Sequence, residues 1–436
     1  MTDGRADLRV DMQIRRLETP VRPDEAFVSA SLADLLPQVR RARSRDASWL
    51  GRLSRGLAVT PRIREWWASP RRVALGGILV LIALVLFGLL VVIIGSHRRL
   101  PPPFGLAGNG RIAYVEQGHV DTADLNGGDR RQLPLGPGFQ TEPRFSPDGT
   151  RIVFKHFAQS PNQGPADVEV ADADGLNLVV VTRAVTGLSH ISWSPDSQDV
   201  AFSGALGPGA DHGYVAHADG SGSPVDLGTF GTGAWDPTWS SDGTRLVIVS
   251  ELGMFVVNRD GTHSSLIVGG ETVKEFGQRG EAAEWSPDGT LIVYTAIDLN
   301  DSQQVWVVGL DGLPPRRISL DTSLGRDATW PPDGTRLAYM RRGSGLGPVL
   351  TICDPTGRVL DILPRAYAWY QPIWSPDGTK IVVTDDRPGP DNVPGPAVRV
   401  IVDLARKQPD IIIPAPGITP DDVPDWAASW QRLATL

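Results

Sequence analysis

From about residue 108 to the C-terminus, polar clusters rich in Pro, Asp and Gly alternate with short apolar, β-branched runs, the signature of strands joined by tight turns. Arg151-Ile-Val-Phe154 follows Phe145-Ser-Pro-Asp-Gly-Thr, the run Leu291 to Tyr294 follows Trp285-Ser-Pro-Asp-Gly-Thr, and Lys380-Ile-Val-Val383 follows Trp374-Ser-Pro-Asp-Gly-Thr. Three more copies read Trp193-Ser-Pro-Asp-Ser, Trp239-Ser-Ser-Asp-Gly-Thr and Trp330-Pro-Pro-Asp-Gly-Thr. Their aspartates, Asp148, Asp196, Asp242, Asp288, Asp333 and Asp377, stand 48, 46, 46, 45 and 44 residues apart, a period characteristic of propellers and solenoids.

The turn chemistry says what one copy builds. Proline presets φ at the second turn position, aspartate suits the third and glycine takes the left-handed fourth, which joins two antiparallel strands through a type I turn with a bulge. A second apolar pair follows in each period, such as Val305-Trp-Val-Val308, with a second turn at Asp172-Ala-Asp-Gly175, Asn258-Arg-Asp-Gly261 or Leu310-Asp311-Gly312. Four short strands per period make a propeller blade. Gly110-Arg-Ile-Ala-Tyr-Val115 reads as a second half-motif without a first, and Pro424-Asp-Trp426 as a first half without a second. The expected fold is therefore all-β: a seven-bladed β-propeller whose C-terminal strand, carrying Trp426, closes the first blade. The repeat aspartates are assigned to turns, and the aromatic residue before each turn to packing between blades.

This hairpin resembles the repeat of TolB-like (WD40-like, PD40) β-propellers over roughly residues 107–436. The resemblance implies an extracytoplasmic or periplasmic module whose namesake binds protein partners in the cell envelope. It departs in blade number, since the namesake's propeller has six blades and an N-terminal domain of its own.

The chain before the repeats differs in character. Residues 1–99 carry 17 arginines and no lysine against 9 acids, whereas the remainder carries 25 basic and 41 acidic residues, giving −8 overall. That division suggests two surroundings. Arginine outnumbers lysine 38 to 4, which reads as genomic composition; no nucleic-acid partner is expected. Residues 73–95 lack any charged side chain and, at about 1.5 Å per residue, suffice to cross a hydrocarbon core of about 30 Å as a transmembrane helix. Arg55, Arg62, Arg64, Arg71 and Arg72 before the span outnumber Arg98 and Arg99 after it, so the span is expected to cross the lipid bilayer of the cell membrane with the N-terminus in the cytoplasm and the propeller outside it. Residues 1–72 read as a cytosolic basic segment with short helices around Val28–Val39 and Trp49–Leu57, which either lie on the inner membrane surface or dock a cytosolic partner. Residues 96–107 form a Pro/Gly-rich linker, and 108–436 the propeller.

Chemistry is sparse. No Gly-x-Ser-x-Gly elbow occurs, the chain leaves no room for a hydrolase domain after Trp426, and the seven histidines show no His-x-x-x-His or cysteine cluster. No catalytic residue, cofactor or metal is expected. Asp172 and Asp174 read as a plain hairpin turn, and Cys353, the only cysteine, as a buried apolar residue at a strand end. The repeat turns share one face of the ring; the irregular loops, Lys155–Ala166, Gly204–Gly213, Ala296–Gln303, Arg341–Gly347 and Asp385–Pro396, with the crossings Gly228–Asp236 and Pro364–Tyr370, share the other, the expected recognition face for a protein partner. Glu142, His190, Asp236 and Asp327, three residues before the repeat aromatic, are candidate ligand-binding groups at the channel mouth. Tyr367, Trp369 and Tyr370 are a candidate interface cluster. The leading expectation is a non-catalytic binding module on a single span, with a sensor that signals to a cytosolic partner as its extended form; the alternatives are an envelope adaptor without signalling and a channel-site enzyme, a lyase or glycan-active.

Overall fold

The computed structural model of the protein describes residues 105–433 apart from 161–163, 232, 270–274, 277–282, 298–301, 320–324, 344–346, 364–367, 387–397 and 415–427. The expected cytosolic segment 1–72, the expected span 73–95 and most of the linker 96–107 lie outside them; among the described residues no helix is long and apolar enough to cross a membrane.

The described residues form 29 strands in seven antiparallel sheets. The first blade contains β1 (Gly108–Glu116), β2 (His119–Ala123) and β3 (Arg131–Gln132); the second β4 (Phe139–Phe145), β5 (Arg151–Phe157), β6 (Ala166–Asp172) and β7 (Val179–Val185). The third holds β8 (Ser192–Trp193), β9 (Asp199–Gly204), β10 (His212–His217) and β11 (Val225–Gly228); the fourth β12 (Trp235–Trp239), β13 (Arg245–Ser250), β14 (Gly253–Asn258) and β15 (Ser265–Gly269). In the fifth, β16 (Glu275–Phe276) and β17 (Glu284–Trp285) are two pieces of one first strand, both paired with β18 (Leu291–Ile297), followed by β19 (Gln303–Gly309) and β20 (Arg316–Arg317). The sixth holds β21 (Gly325–Thr329), β22 (Leu337–Gly343), β23 (Gly347–Cys353) and β24 (Val359–Leu363). The seventh is β25 (Ala368–Trp374), β26 (Lys380–Asp386), β27 (Val398–Asp403) and β28 (Gln408–Pro414), and β29 (Ser429–Leu433) returns to pair with β1.

Side chains alternate across each strand, so both faces of every blade are buried against neighbours. Ile152 and Phe154 pack back onto Ala113 and Val120 of the first blade, while Val153 packs forward onto Trp193 and Phe202 of the third. The same arrangement recurs around the ring, and it closes where Val382 and Ile401 of the seventh blade meet Ile112, Tyr114 and Trp430 of the first. Successive first strands also bond to each other: Trp193 Nε1 donates to Arg144 O (2.9 Å), Trp330 Nε1 to Glu284 O (3.3 Å) and Trp374 Nε1 to Thr329 O (3.3 Å). These links put the first strands innermost, around the channel.

Each repeat turn is held by one hydrogen-bond network. Ser286 Oγ donates to Asp288 Oδ1 (2.6 Å), which also accepts Thr290 N–H (3.0 Å) and Oγ1 (2.8 Å), while Leu291 N–H donates back to Ser286 Oγ (2.9 Å). Burial alone would raise the Asp288 carboxyl; the Ser286 and Thr290 donors outweigh it and hold it below its ordinary value. Asp148, Asp242 and Asp377 repeat this network, Asp333 keeps its two threonine donors, and Asp196 accepts from Ser194 Oγ and Gln198 N–H. The fourth turn position has φ near +70° at Gly149, Gly243, Gly289, Gly334 and Gly378. In the third blade Ser197 occupies it at φ +60°, and its hydroxyl accepts the Asp148 N–H (3.1 Å). The arginine that opens β5 and β13, and its counterpart Arg336, lie over the next blade's tryptophan, with Arg151, Arg245 and Arg336 at 5.3, 5.4 and 5.0 Å from the rings of Trp193, Trp285 and Trp374.

The ring closes as the half-motifs predict, through a different residue. Trp430, not Trp426, pairs with Ile112, the position that Phe145, Trp239 and Trp374 occupy opposite Ile152, Leu246 and Ile381, and its Nε1 donates to Ile373 O (3.3 Å). Gln431 then does the work of the repeat serine: its Oε1 accepts Arg111 N–H (3.2 Å) as Ser146 Oγ accepts Arg151 N–H (3.0 Å). Trp426 lies outside the described residues. Cys353 is fully buried at the end of β23, as expected, and burial raises its thiol to about 12.

Candidate functional site

The position three residues before the repeat aromatic has a backbone reason of its own. Glu142, Asp236 and Asp327 take left-handed φ of 50°, 50° and 55°, each at a register shift between first and second strand. A bulge with positive φ suits short polar residues, Asp above all, and it re-aims the side chain. The side chains are engaged within the protein. Glu142 pairs with Lys155, which is nearly fully buried on β5. Asp236 Oδ1 accepts the His190 N–H (3.3 Å), and the Asp236 N–H donates to Ser203 Oγ (3.2 Å). Asp327 Oδ2 lies 3.6 Å from Arg326 Nε. The fold thus brings His190 and Asp236 together across the third and fourth blades and places Glu142 and Asp327 in ion pairs on the second and sixth.

The channel also holds a cavity of about 230 Å³ between the first strands of three consecutive blades, lined in part by Arg144, His190, Ser192, Ser429 and Arg432. Both hydroxyls are committed: Ser192 Oγ donates to Pro237 O (2.6 Å), and Ser429 Oγ accepts Phe145 N–H (2.9 Å). Burial, with the nearby Arg144 and Lys155 charges, holds the His190 imidazole well below its ordinary value, so it is neutral. Burial also lowers Arg432, to about 10, which leaves it cationic at neutral pH. Arg144 and Arg432 give the lining, which reaches Pro147 of the repeat turn, a positive character that the sequence reading, with its acids three residues before the aromatic, did not reveal.

Arg144 also faces Glu284, its counterpart on the fifth blade. Burial raises the Glu284 carboxyl from 4.5 to about 7, against the Thr329 hydroxyl, the Trp330 N–H and the Arg144 charge, all of which lower it. A carboxyl raised on folding binds its proton more tightly in the native state, so its contribution to stability is full below about pH 4.5 and is lost as pH rises through about 7. Glu284→Gln removes that titration. The melting temperature of the variant should fall less than that of the parent between pH 5 and pH 7.5, and parallel curves in a pH series of melts would refute the assignment.

One group of side chains was not legible from histidine spacing. His156 on β5 and Asp167 and Glu169 on β6 each offer a ligand atom within 4.8 Å of the others. They meet because β5 and β6 pair with His156 opposite Asp167 and Phe154 opposite Glu169, and because Asp167 and Glu169, two apart, share a sheet face. The Asp-x-Glu alternation inside an apolar strand is the signal that could have found them. Of the aromatic interface candidates, Trp369 and Tyr370 stand in β25 and Tyr367 lies outside the described residues. Asp172 and Asp174 form the expected turn, with Gly175 N–H on Asp172 O (2.8 Å) and Leu176 N–H on Asp174 Oδ1 (3.1 Å).

The chain is similar to TolB from Acinetobacter baumannii at 16% identity, over 75% of this chain and 81% of that one, with a TM-score of 0.46. It is similar to a putative TolB from Agrobacterium tumefaciens at 19% identity, over 62% and 95%, with a TM-score of 0.42. A structure from a study of two prolyl endopeptidases matches at 14% identity and a TM-score of 0.50, over 70% of this chain but 49% of that protein, a likeness of fold alone. The family model described as TolB beta propeller domain, PD40, matches residues 156–395, more than half of the chain. With its seven four-stranded blades and six Asp-centred repeat turns among the described residues, the chain belongs to the TolB-type PD40 β-propeller family.

Proposed function

We propose that this propeller is a non-catalytic binding module, displayed outside the cytoplasm on the span at 73–95, whose irregular-loop face engages a protein partner while the channel cavity receives an anionic group of that partner. The observation that carries the reading is the cavity: Arg144 and Arg432 line it, and both of its serine hydroxyls are occupied by backbone bonds, which suits electrostatic recognition and leaves no hydroxyl paired with a base for nucleophilic chemistry. Family membership supports a binding role, and the basic segment 1–72 provides a route to a cytosolic partner if the module signals.

In intact cells, a photo-crosslinker at the exposed Gly207 of the Gly204–Gly213 loop should capture one protein that a crosslinker at Thr290, on the repeat-turn face, does not. Arg144→Glu with Arg432→Glu should abolish the capture, and a topology reporter after Leu436 should answer from outside the cytoplasm. Equal capture from both faces, capture indifferent to the charge reversals, or a cytosolic reporter would each defeat the reading. The raised Glu284 and the neutral His190 favour one second reading, a channel-site enzyme using Glu284 as a general acid. It requires that Glu284→Gln remove turnover of a substrate without displacing the partner.

A further inference from the structure

We propose that His156, Asp167 and Glu169 form a binding site for a divalent transition-metal cation of the Zn2+ or Mn2+ type, built into the second blade away from the channel cavity. The argument begins with the histidine. His156 Nε2 lies 2.9 Å from the carbonyl of Pro137, which can only accept, so Nε2 carries the hydrogen. Nδ1 then turns toward Glu169 Oε1 at 3.1 Å. If Nδ1 presents a lone pair, two acceptors face each other across that distance, and only a cation between them makes the contact favourable. Metal-ligating histidines usually have their far N–H fixed in this way on a carbonyl or carboxylate, which sets the tautomer and aims the other nitrogen at the ion.

The glutamate supplies an independent observation. Glu169 is 4% exposed, and its second oxygen, Oε2, is buried without a hydrogen-bond partner. A buried carboxylate oxygen left unsatisfied keeps the full cost of its desolvation, a penalty that a coordinated cation removes. Asp167 completes the set from the next outward position of β6. Its Oδ1 accepts the Ala184 N–H (2.8 Å) and its Oδ2 lies 3.3 Å from Arg183 Nη1, so the carboxylate is held in place by β7, where Ala184 adopts φ +55°. Ligating carboxylates are commonly oriented by such outer bonds.

The donor set selects the ion. One imidazole nitrogen and two carboxylates suit Zn2+ or Mn2+ better than Ca2+ or Mg2+, which take all-oxygen shells, and the absence of a thiolate argues against Cu+. His156 and Asp167 are partly exposed, with side-chain exposures of 21% and 24%, so an ion can reach the site from the rim of the blade. The three donors tie the second and third strands of one blade together at the end from which the Phe157–Ala166 connection departs, and the outer bonds of Asp167 hold the fourth strand to them.

The test uses the full-length protein in detergent, stripped with a chelator and titrated calorimetrically with Zn2+ and with Mn2+. One saturable site is expected, with a melting temperature that rises as the free ion passes its dissociation constant. His156→Ala and the isosteric Glu169→Gln should each weaken that site by more than about 100-fold, beyond the roughly 10–100-fold typical of losing a residue that only hydrogen-bonds to a ligand. Co2+ should give a visible absorption band in the parent that is missing from both variants, a readout that does not depend on their stability. A melting temperature and a heat of titration unmoved by either ion would mean that a proton occupies the space between Nδ1 and Oε1, and would overturn the proposal. Uptake that persists unchanged in both variants would overturn it equally.

Discussion

Trp430→Ala should cost about 3–5 kcal/mol of stability, the range for removing a buried aromatic side chain, although only six residues of the given sequence follow it. Trp430 is 6% exposed and packs with Ile112, Tyr114, Val382 and Ile401, so its ring is the wedge between the seventh blade and the first. It also carries the Nε1 bond to Ile373 O that joins the last two first strands. These contacts close a very long loop: β1 and β29 are separated in sequence by the other six blades. In a ring each blade depends on both neighbours, so loss of this one wedge converts a closed toroid into an open stack with two unsatisfied faces. Denaturant unfolding should show a lower midpoint, and hydrogen exchange should show protection lost first in Gly108–Glu116, the strand that β29 covers. Full protection of that strand in the variant would mean that the ring does not depend on Trp430.

The repeat was legible because its geometry is encoded locally. A type I turn with a left-handed fourth residue leaves few choices at each position, so Pro, Asp and Gly recur at fixed offsets and Ser286, Asp288 and Thr290 can be read as one network before any coordinates are seen. Closure was legible only in outline. The end of the chain offers two tryptophans, and the usual mark of the right one, the Ser-Pro-Asp-Gly that follows it, is absent because Gln431 reaches the Arg111 N–H with its own amide oxygen. The residues three before the aromatic were read from chemistry alone, yet Asp236 and Asp327 sit at left-handed bulges where a short polar side chain is favoured on backbone grounds. The cavity and the His156 group were hidden for a different reason. Arg144, His190 and Arg432 come from three blades and leave no spacing in the sequence, whereas His156, Asp167 and Glu169 come from two strands in register, so that only the Asp-x-Glu alternation of β6 marks them.

Gly149→Ala should destabilise the protein by about 2–5 kcal/mol, whereas Gly243→Ala, at the same position of another repeat, should cost only about 1–2 kcal/mol. Both glycines have left-handed backbones, φ +71° and +68°, so both substitutions carry the same conformational cost. Their surroundings differ. A Cβ at Gly243 would meet nothing nearer than Pro195 Cδ at 3.4 Å, an ordinary contact, but a Cβ at Gly149 would stand 1.9 Å from the Arg432 carbonyl oxygen. That oxygen belongs to the closing strand, which also bonds the same turn through Gln431 Nε2 and Gly149 O (2.8 Å). The added methyl therefore cannot be accommodated without moving β29. A double-mutant cycle separates the two contributions. Once Trp430→Ala has loosened the strand, the extra cost of Gly149→Ala over Gly243→Ala should disappear, because the carbonyl is then free to withdraw. Costs for Gly149→Ala that are equal in the two backgrounds, or equal to those of Gly243→Ala in the parent, would show that the second blade's turn does not abut the closing strand. In that case the ring must be sealed some other way.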